Sequence, residues 1–259
     1  MNGRAAEGGL PPIGFLGALT FLTRLPLRLR SVTDLAASVP WFPVVGGLIG
    51  ATVGALAAGL AELVPTSVAA AVAVIAGVAL TGAFHEDGLA DLCDALGGWT
   101  VEQRREILKD SRHGSYGVAA LASSIVLRIA CVATLAPAAA FAGLIAAHAL
   151  GRSAVVAAMG RSASSSAPGL GSEYTRAVTW RRAALGALVG IAIAAVATGW
   201  WAVPLTVAAA LGAIGVAALA RRALKAITGD ALGAIEQVAE CLVLVVVTGL
   251  ASRYGLWWA

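Results

Sequence analysis

From Ala183 to Ala220 the chain runs for 38 residues without a charged side chain. A helix needs about 20 apolar residues to cross the hydrocarbon of a bilayer. The stretch is too long for one crossing and long enough for two. Gly199-Trp200-Trp201 and Pro204 stand at its centre. Aromatic rings gather where membrane meets water, so the stretch reads as a helical hairpin turning at an interface. Shorter runs repeat the pattern. Phe42 to Ala61 and Leu63 to Phe84 carry no charge, and Glu62, Pro65, Thr66 and Ser67 mark a turn between them. The stretches of about Gly114–Leu135 and Ala138–Met159 flank Pro137, each holding one arginine, Arg128 and Arg152. A final run, Leu232 to Ala251, ends near Arg253 and the Trp257-Trp258 pair. Only 12% of residues are charged, against about a quarter in a soluble domain. The expectation is an all-α, polytopic transmembrane bundle of about seven spans over residues 42–251. A segment of 41 residues precedes it, in which Pro12–Leu27, short and holding Arg24, reads as an interfacial helix. Residues 1–259 then form a single integral membrane domain.

The loops alternate in character. Segments 1–41, 85–113, 160–182 and 221–231 are long and basic, whereas those near 62–67, 135–138 and 199–204 are short and almost uncharged. Of 18 Lys and Arg, 15 lie in the four basic segments. Alternating spans put all four on one side, and the excess of Lys and Arg marks that side as cytoplasmic. The N-terminus is therefore expected in the cytoplasm and the C-terminus outside. The N-terminal residues lack the long apolar core of a cleaved signal, so the first span is expected to direct insertion. Cys93, Cys131 and Cys241 are odd in number and far apart, and read as reduced residues without disulfides. Small residues recur in the spans, as in Gly46-Gly47, Gly50 and Gly54, and read as close helix packing.

The stretch His85-Glu86-Asp87-Gly88-Leu89-Ala90-Asp91-Leu92-Cys93-Asp94 begins where a span meets the cytoplasmic face. On a helix Asp87, Asp91 and Asp94 stand at i, i+4 and i+7, which stacks three carboxylates on one stripe. Like charges so placed repel unless neutralised. Mg²⁺ is hard, prefers oxygen, and is commonly held by one or two carboxylates together with substrate phosphates. The stripe is therefore expected to hold a metal ion against a phosphate group. The plainer alternative is a solvated acidic start to a helix. His85 beside it would accept a proton from an attacking hydroxyl or orient a carboxylate.

Other polar groups share this side. Asp110-Ser111-Arg112-His113-Gly114-Ser115-Tyr116-Gly117 opens the third span and offers backbone N–H groups and a guanidinium to phosphate oxygens, or is simply a loop and cap. Thr228-Gly229-Asp230 opens the last span, followed by Glu236 and Glu240. Acids entering a span face a polar interior or a partner; Asp230 alone would also serve as an N-cap. Arg152 reaches the same cavity or snorkels. Glu102 and Glu106 among Arg104, Arg105 and Lys109 read as a solvated, salt-bridged helix face.

The stretch HEDGLADLCDALGGW resembles the H-x-D-G-L-A-D-x-x-D signature of cobalamin synthases, the adenosylcobinamide-GDP ribazoletransferases. Leu19-Thr20-Phe21-Leu22-Thr23-Arg24-Leu25-Pro26 resembles that family's N-terminal T-F-x-T-R-x-P segment, and Trp41-Phe42-Pro43-Val44-Val45-Gly46 its F-P-x-V-G entry to the first span. Lys109-Asp110-Ser111-Arg112 with Gly114 and Gly117 is similar to K-D-S-R-x-G-x-x-G, and Thr228-Gly229-Asp230-Ala231-Leu232-Gly233-Ala234 with Glu240 to T-G-D-x-L-G-A…E. The resemblance implies an Mg²⁺-dependent enzyme of the inner membrane, its active face cytoplasmic. Such an enzyme joins adenosylcobinamide-GDP to α-ribazole or α-ribazole 5′-phosphate and releases GMP, the final nucleotide-loop step of cobalamin biosynthesis. In this reading Asp87, Asp91 and Asp94 are the metal ligands, with Asp87, Asp91 and His85 catalytic. Arg112, Asp110, Arg152, Asp230 and Gly114 bind substrate. The expected partners are the corrinoid nucleotide, α-ribazole and membrane lipid, with no nucleic acid. A homo-oligomer or association with other cobalamin-assembly enzymes is compatible with this. Two other readings compete. A polytopic transporter would carry its polar groups near mid-membrane, open to both faces. A CDP-alcohol-type phosphotransferase would need D-x-x-D-G-x-x-A-R, but Phe84 fills the first Asp position and Asp91-Leu92 replaces A-R.

Overall fold

The structure, a computed structural model, describes residues 12–27, 35–110, 112–161 and 178–259. The described residues are helical, with no strand among them. The helices are α1 (Pro12–Leu22), α2 (Leu35–Ser38), α3 (Phe42–Ala61), α4 (Thr66–Thr81), α5 (Phe84–Ala95), α6 (Val101–Ile107), α7 (Ser115–Ala133), α8 (Pro137–Arg161), α9 (Trp180–Thr198), α10 (Ala202–Leu224) and α11 (Gly229–Ala251). Among them five apolar stretches are long enough to cross a membrane, or six if α4 and α5 are taken as one broken span.

The longest stretch, Trp180–Leu224, is broken at Gly199, whose φ of +62° is accessible to glycine at little cost. Its two halves run in opposite directions. Ala183 near the start of α9 lies against Gly160 at the end of α8. The far end of α9 meets the C-terminal tryptophans, where Trp257 and Trp258 donate indole N–H bonds to the carbonyls of Val196 and Ala197 (3.3 and 2.8 Å). From there α10 returns along α11, with Gly212 against Val238, Ala239 and Leu242. The hairpin read from Gly199-Trp200-Trp201 is present.

α8 is the central helix, packed against α3, α9, α10 and α11. Gly46, Gly50 and Gly54 lie one turn apart along α3. A Cβ on Gly50 would press on the backbone of Leu144 and Ile145, and one on Gly54 would stand 2.9 Å from Phe141 Cα. Without a hydrophobic drive between helices in lipid, such backbone approach supplies the van der Waals attraction, and these glycines do serve packing. Cys93, Cys131 and Cys241 are free thiols.

Two expectations change. The charge-free run Leu63–Phe84 is not one straight span: α4 ends at Thr81, and α5 leaves it at 88°. Gly82 and Ala83 both take left-handed backbone angles (φ +68° and +56°), which turns the chain sharply within two residues. Twelve residues, about 18 Å of helix, do not cross a bilayer unaided, so α5 is not a span of its own. The basic face of α6 is also used differently. Arg104 donates to the Ala223 carbonyl (3.2 Å) and Arg105 to that of Leu224 (3.0 Å), capping the end of α10 with positive charge.

Candidate active site

α5 is held from three sides. At its start the backbone N–H of Arg24 donates to Leu80 O (2.8 Å), and Phe21 packs edge-on against Phe84 (5.1 Å between centroids), so the chain after α1 closes over the α4–α5 corner. Along its length Gly88 meets Gly233 and the backbone of Asp230. A Cβ on Gly88 would lie 2.8 Å from Asp230 O, and one on Gly233 3.2 Å from His85 O. Facing glycines therefore bring α5 and the first turn of α11 into backbone contact. Thr228, not Asp230, caps α11, its hydroxyl accepting from Ala231 N–H (3.2 Å). That leaves the Asp230 carboxylate in the first turn, close enough to Asp91 to act on its charge.

The acidic stripe divides in two. Asp87 is well exposed and Asp91 partly so, and His113 stands beside both. Its Nε2 is 3.7 Å from Asp87 Oδ1 and its Nδ1 3.5 Å from Asp91 Oδ1. One ligand atom from each of the three lies within 4.8 Å of the others. The Asp91 carboxyl is pushed up to about 6. Burial is the main cause, and repulsion from Asp87 and Asp230 adds to it, with His113 pulling the other way. Asp94 is on the same stripe but not in that group. It is buried, and its two oxygens accept the backbone N–H groups of Gly114 (2.7 Å) and Gly117 (2.8 Å) at the start of α7. Any side chain on Gly114 or Gly117 would strike the carboxylate. The third acid thus closes an anion seat at a helix N-terminus, and Gly114 belongs to that seat.

Beneath the stripe lies a buried ion network. Arg128 on α7 donates to Glu86 (3.0 Å) and to Glu240 (3.1 Å). The other oxygen of Glu240 is 2.9 Å from His148 Nδ1 and 3.3 Å from Arg152 Nη1. Arg152 also pairs with Glu236, which accepts from Gln237 (2.9 Å), and Gln237 in turn accepts from Ser124 (2.9 Å). His85 Nδ1 lies 3.7 Å from Glu236. Each of these side chains is buried.

The residues singled out in the sequence therefore separate. Asp87, Asp91 and Asp230 converge near the start of α11. His85, which the sequence sets beside the stripe, is on the opposite face of α5 and faces Glu236. Arg152 joins the buried network and neither reaches the stripe nor snorkels. Arg112 is exposed and paired with Asp110 (Nη2–Oδ2 2.7 Å), whose carboxyl those hydrogen bonds hold down at about 2. Residues not singled out are His113, Glu86 and His148. A signal existed for two of them: Glu86 abuts Asp87, and His148 precedes Arg152 by four residues in an otherwise uncharged span.

Comparison with known proteins identifies the family. The family described as cobalamin-5-phosphate synthase matches residues 14–248. An adenosylcobinamide-GDP ribazoletransferase of Ralstonia nicotianae is 38% identical over 252 residues, covering 91% of this chain and 94% of the relative. Its namesake in Shewanella frigidimarina is 35% identical, covering 92% and 95%. Another in Chlorobaculum tepidum is 34% identical, covering 95% and 98%. No solved structure matches. Since the matched region takes in the corner at Arg24, the carboxylates of α5 and the ions beneath them, the chain belongs to the cobalamin-5-phosphate synthase family.

Proposed function

We propose that this chain joins adenosylcobinamide-GDP to α-ribazole, or to α-ribazole 5′-phosphate, with release of GMP, at the cytoplasmic face of the inner membrane. The observation that carries the reading is the Asp87–Asp91–His113 group at the end of the bundle where the basic loops collect. The hairpin at Gly199 supports seven crossings when α4 is counted as one, with the N-terminus in the cytoplasm. The names of the relatives supply the substrates.

The donor set fits Mg²⁺. Two hard carboxylates lie one turn apart, and Asp91 is pushed towards protonation by burial and by uncompensated negative charge, which a cation would relieve. Asp87 and Asp91 would hold the ion, which when bound supplies charge neutralisation for a diphosphate and its leaving nucleotide. His113 sits between the two carboxylates and orients them. Arg112 offers a fork-shaped donor to phosphate oxygens. Asp230 bounds the pocket on the α11 side, and the seat formed by Asp94 with Gly114 and Gly117 fixes the start of α7 and so the approach of His113.

The test is direct. Purified protein in lipid is incubated with adenosylcobinamide-GDP, α-ribazole and Mg²⁺, and GMP and cobalamin are measured. Wild type yields both and EDTA stops it. Asp87→Ala and Asp91→Ala insert normally and release no GMP above background. Normal turnover by either variant would remove these residues from the mechanism.

A further inference from the structure

The two residues preceding Asp87 point into the bundle. Glu86 is tied by Arg128 to Glu240, and His85 lies beside Glu236. One guanidinium thus bridges α5 and α11 from a third helix, α7. The bridge is buried: Glu86, Arg128 and Glu240 are each under 5% exposed. Buried ion pairs give little net stability over apolar packing, because desolvation offsets the attraction. What they fix is direction, since a guanidinium fork accepts carboxylates only in certain orientations. On α5 the consequence is geometric. Successive residues are 100° apart, so whatever sets the roll of Glu86 also sets where Asp87 and Asp91 point. The facing glycines Gly88 and Gly233 present no side chains that would oppose a roll of α5 against α11. Asp94 ties the far end of α5 to the start of α7, and the polar bridge at Glu86 fixes its first turn, beside Asp87.

Building on the function just given, we propose that Arg128 and Glu86 are positioning residues. Their ion pair, anchored on Glu240, sets the roll of α5 that brings Asp87 and Asp91 together to face a divalent cation. Neither residue touches the cation or the substrate.

The test uses Arg128→Lys and Glu86→Gln in the full-length protein in lipid. A lysine keeps the charge but, with one ammonium, does not bridge two carboxylates as the fork does. Glutamine is isosteric with glutamate, so Glu86→Gln retains the fold and loses only the charge. Mn²⁺ alone is titrated and followed by electron paramagnetic resonance, and the Mg²⁺ dependence of GMP release is measured in parallel. The expected result is a tenfold or greater rise in the Mn²⁺ dissociation constant for Arg128→Lys and a severalfold rise for Glu86→Gln. The half-saturating Mg²⁺ should rise in step, with kcat largely recovered at saturating metal. A merely structural role would instead lower the active fraction and leave metal affinity unchanged. Unaltered Mn²⁺ affinity in Glu86→Gln overturns the proposal, whatever the lysine variant does. Wild-type protein that binds no Mn²⁺, or binds it equally well after Asp91→Ala, would instead overturn the metal site on which the proposal stands.

Discussion

Replacing Gly88 by alanine tests whether the contact between α5 and α11 sets activity. The added Cβ would lie 2.8 Å from Asp230 O, 3.1 Å from Asp230 Cα and 3.2 Å from Gly233 Cα. All three are backbone atoms, so no side-chain rotation relieves the clash. An ordinary carbon–oxygen contact is about 3.4 Å, so the helices must part by about 0.6 Å. Overpacking of this kind costs about 1–3 kcal/mol, and the better helix propensity of alanine returns about 1 kcal/mol, so the bundle should still fold. The displacement falls between Asp230 and the Asp87–Asp91 pair. An error of 1 Å in a reacting geometry costs on the order of a hundredfold, so 0.6 Å should cost roughly tenfold, or about 1.4 kcal/mol of barrier. The assay is the rate of GMP release in proteoliposomes, read as kcat/KM. Gly59→Ala is the control, because a Cβ there meets nothing within 4 Å, and it should match wild type. Activity of Gly88→Ala within twofold of wild type, with normal thermal unfolding, would refute the claim that helix separation here controls the site.

The remaining predictions concern protons and packing. Asp91 in the native protein titrates near 6, above its ordinary 3.8. Between those values the native state holds a proton that the unfolded chain has lost, so this group's contribution to stability falls as pH rises through that window. A cation must displace the same proton, so metal affinity should drop about tenfold per pH unit below about 6. Half-saturating Mg²⁺ at pH 5 should then be about ten times that at pH 7, and a flat profile across that range would contradict the assignment. Gly50→Leu should force α3 off the backbone of Leu144 and Ile145, destabilising the bundle by about 1–3 kcal/mol, measured as a lowered unfolding temperature in detergent. An unchanged unfolding temperature would show that α3 and α8 do not depend on this approach.

Much of the architecture is legible because lipid leaves few options. Charge-free runs gave α3 with the bounds Phe42–Ala61, and glycine followed by paired tryptophans marked the turn between α9 and α10. The same signal found a helix within Leu63–Phe84 but not its end at Thr81. Absence of charge says that a segment tolerates lipid but not which way it points, and the left-handed pair at Gly82 and Ala83 is a local choice inside an apolar run. Helical spacing rightly set Asp87, Asp91 and Asp94 on one stripe. It carried no information about the loop before α7, which folds back to seat Asp94 on two amides and deliver His113 to the other two acids. The buried ions were visible one at a time, as Arg128, Arg152, Glu236 and Glu240 within spans. Their pairings join residues 42, 84 and 112 positions apart and depend on how helices face one another.

The network also bears on the transporter reading, which expects ionised groups deep in the bundle. Glu236 and Glu240 lie 7 and 11 residues past Gly229, or roughly 10 and 16 Å along α11, well inside that helix. His148, Glu236 and Glu240 even approach one another closely enough to hold a cation. Yet Arg152 Nη1 already occupies that place, within hydrogen-bonding reach of His148 Nδ1 (2.8 Å) and paired with both carboxylates. A guanidinium does not lose its charge in a protein, and this one is tethered to α8. A passing cation would have to displace a fixed one from three partners, each buried. The deep ions therefore already carry their own counter-charge. Asp87 and Asp91, at a single end of the bundle, have a histidine beside them in place of a guanidinium. On the proposed reading the cation sits at one face, while two guanidiniums are already fixed among the deep carboxylates; that distribution suits chemistry on a bound phosphate and not passage across the membrane.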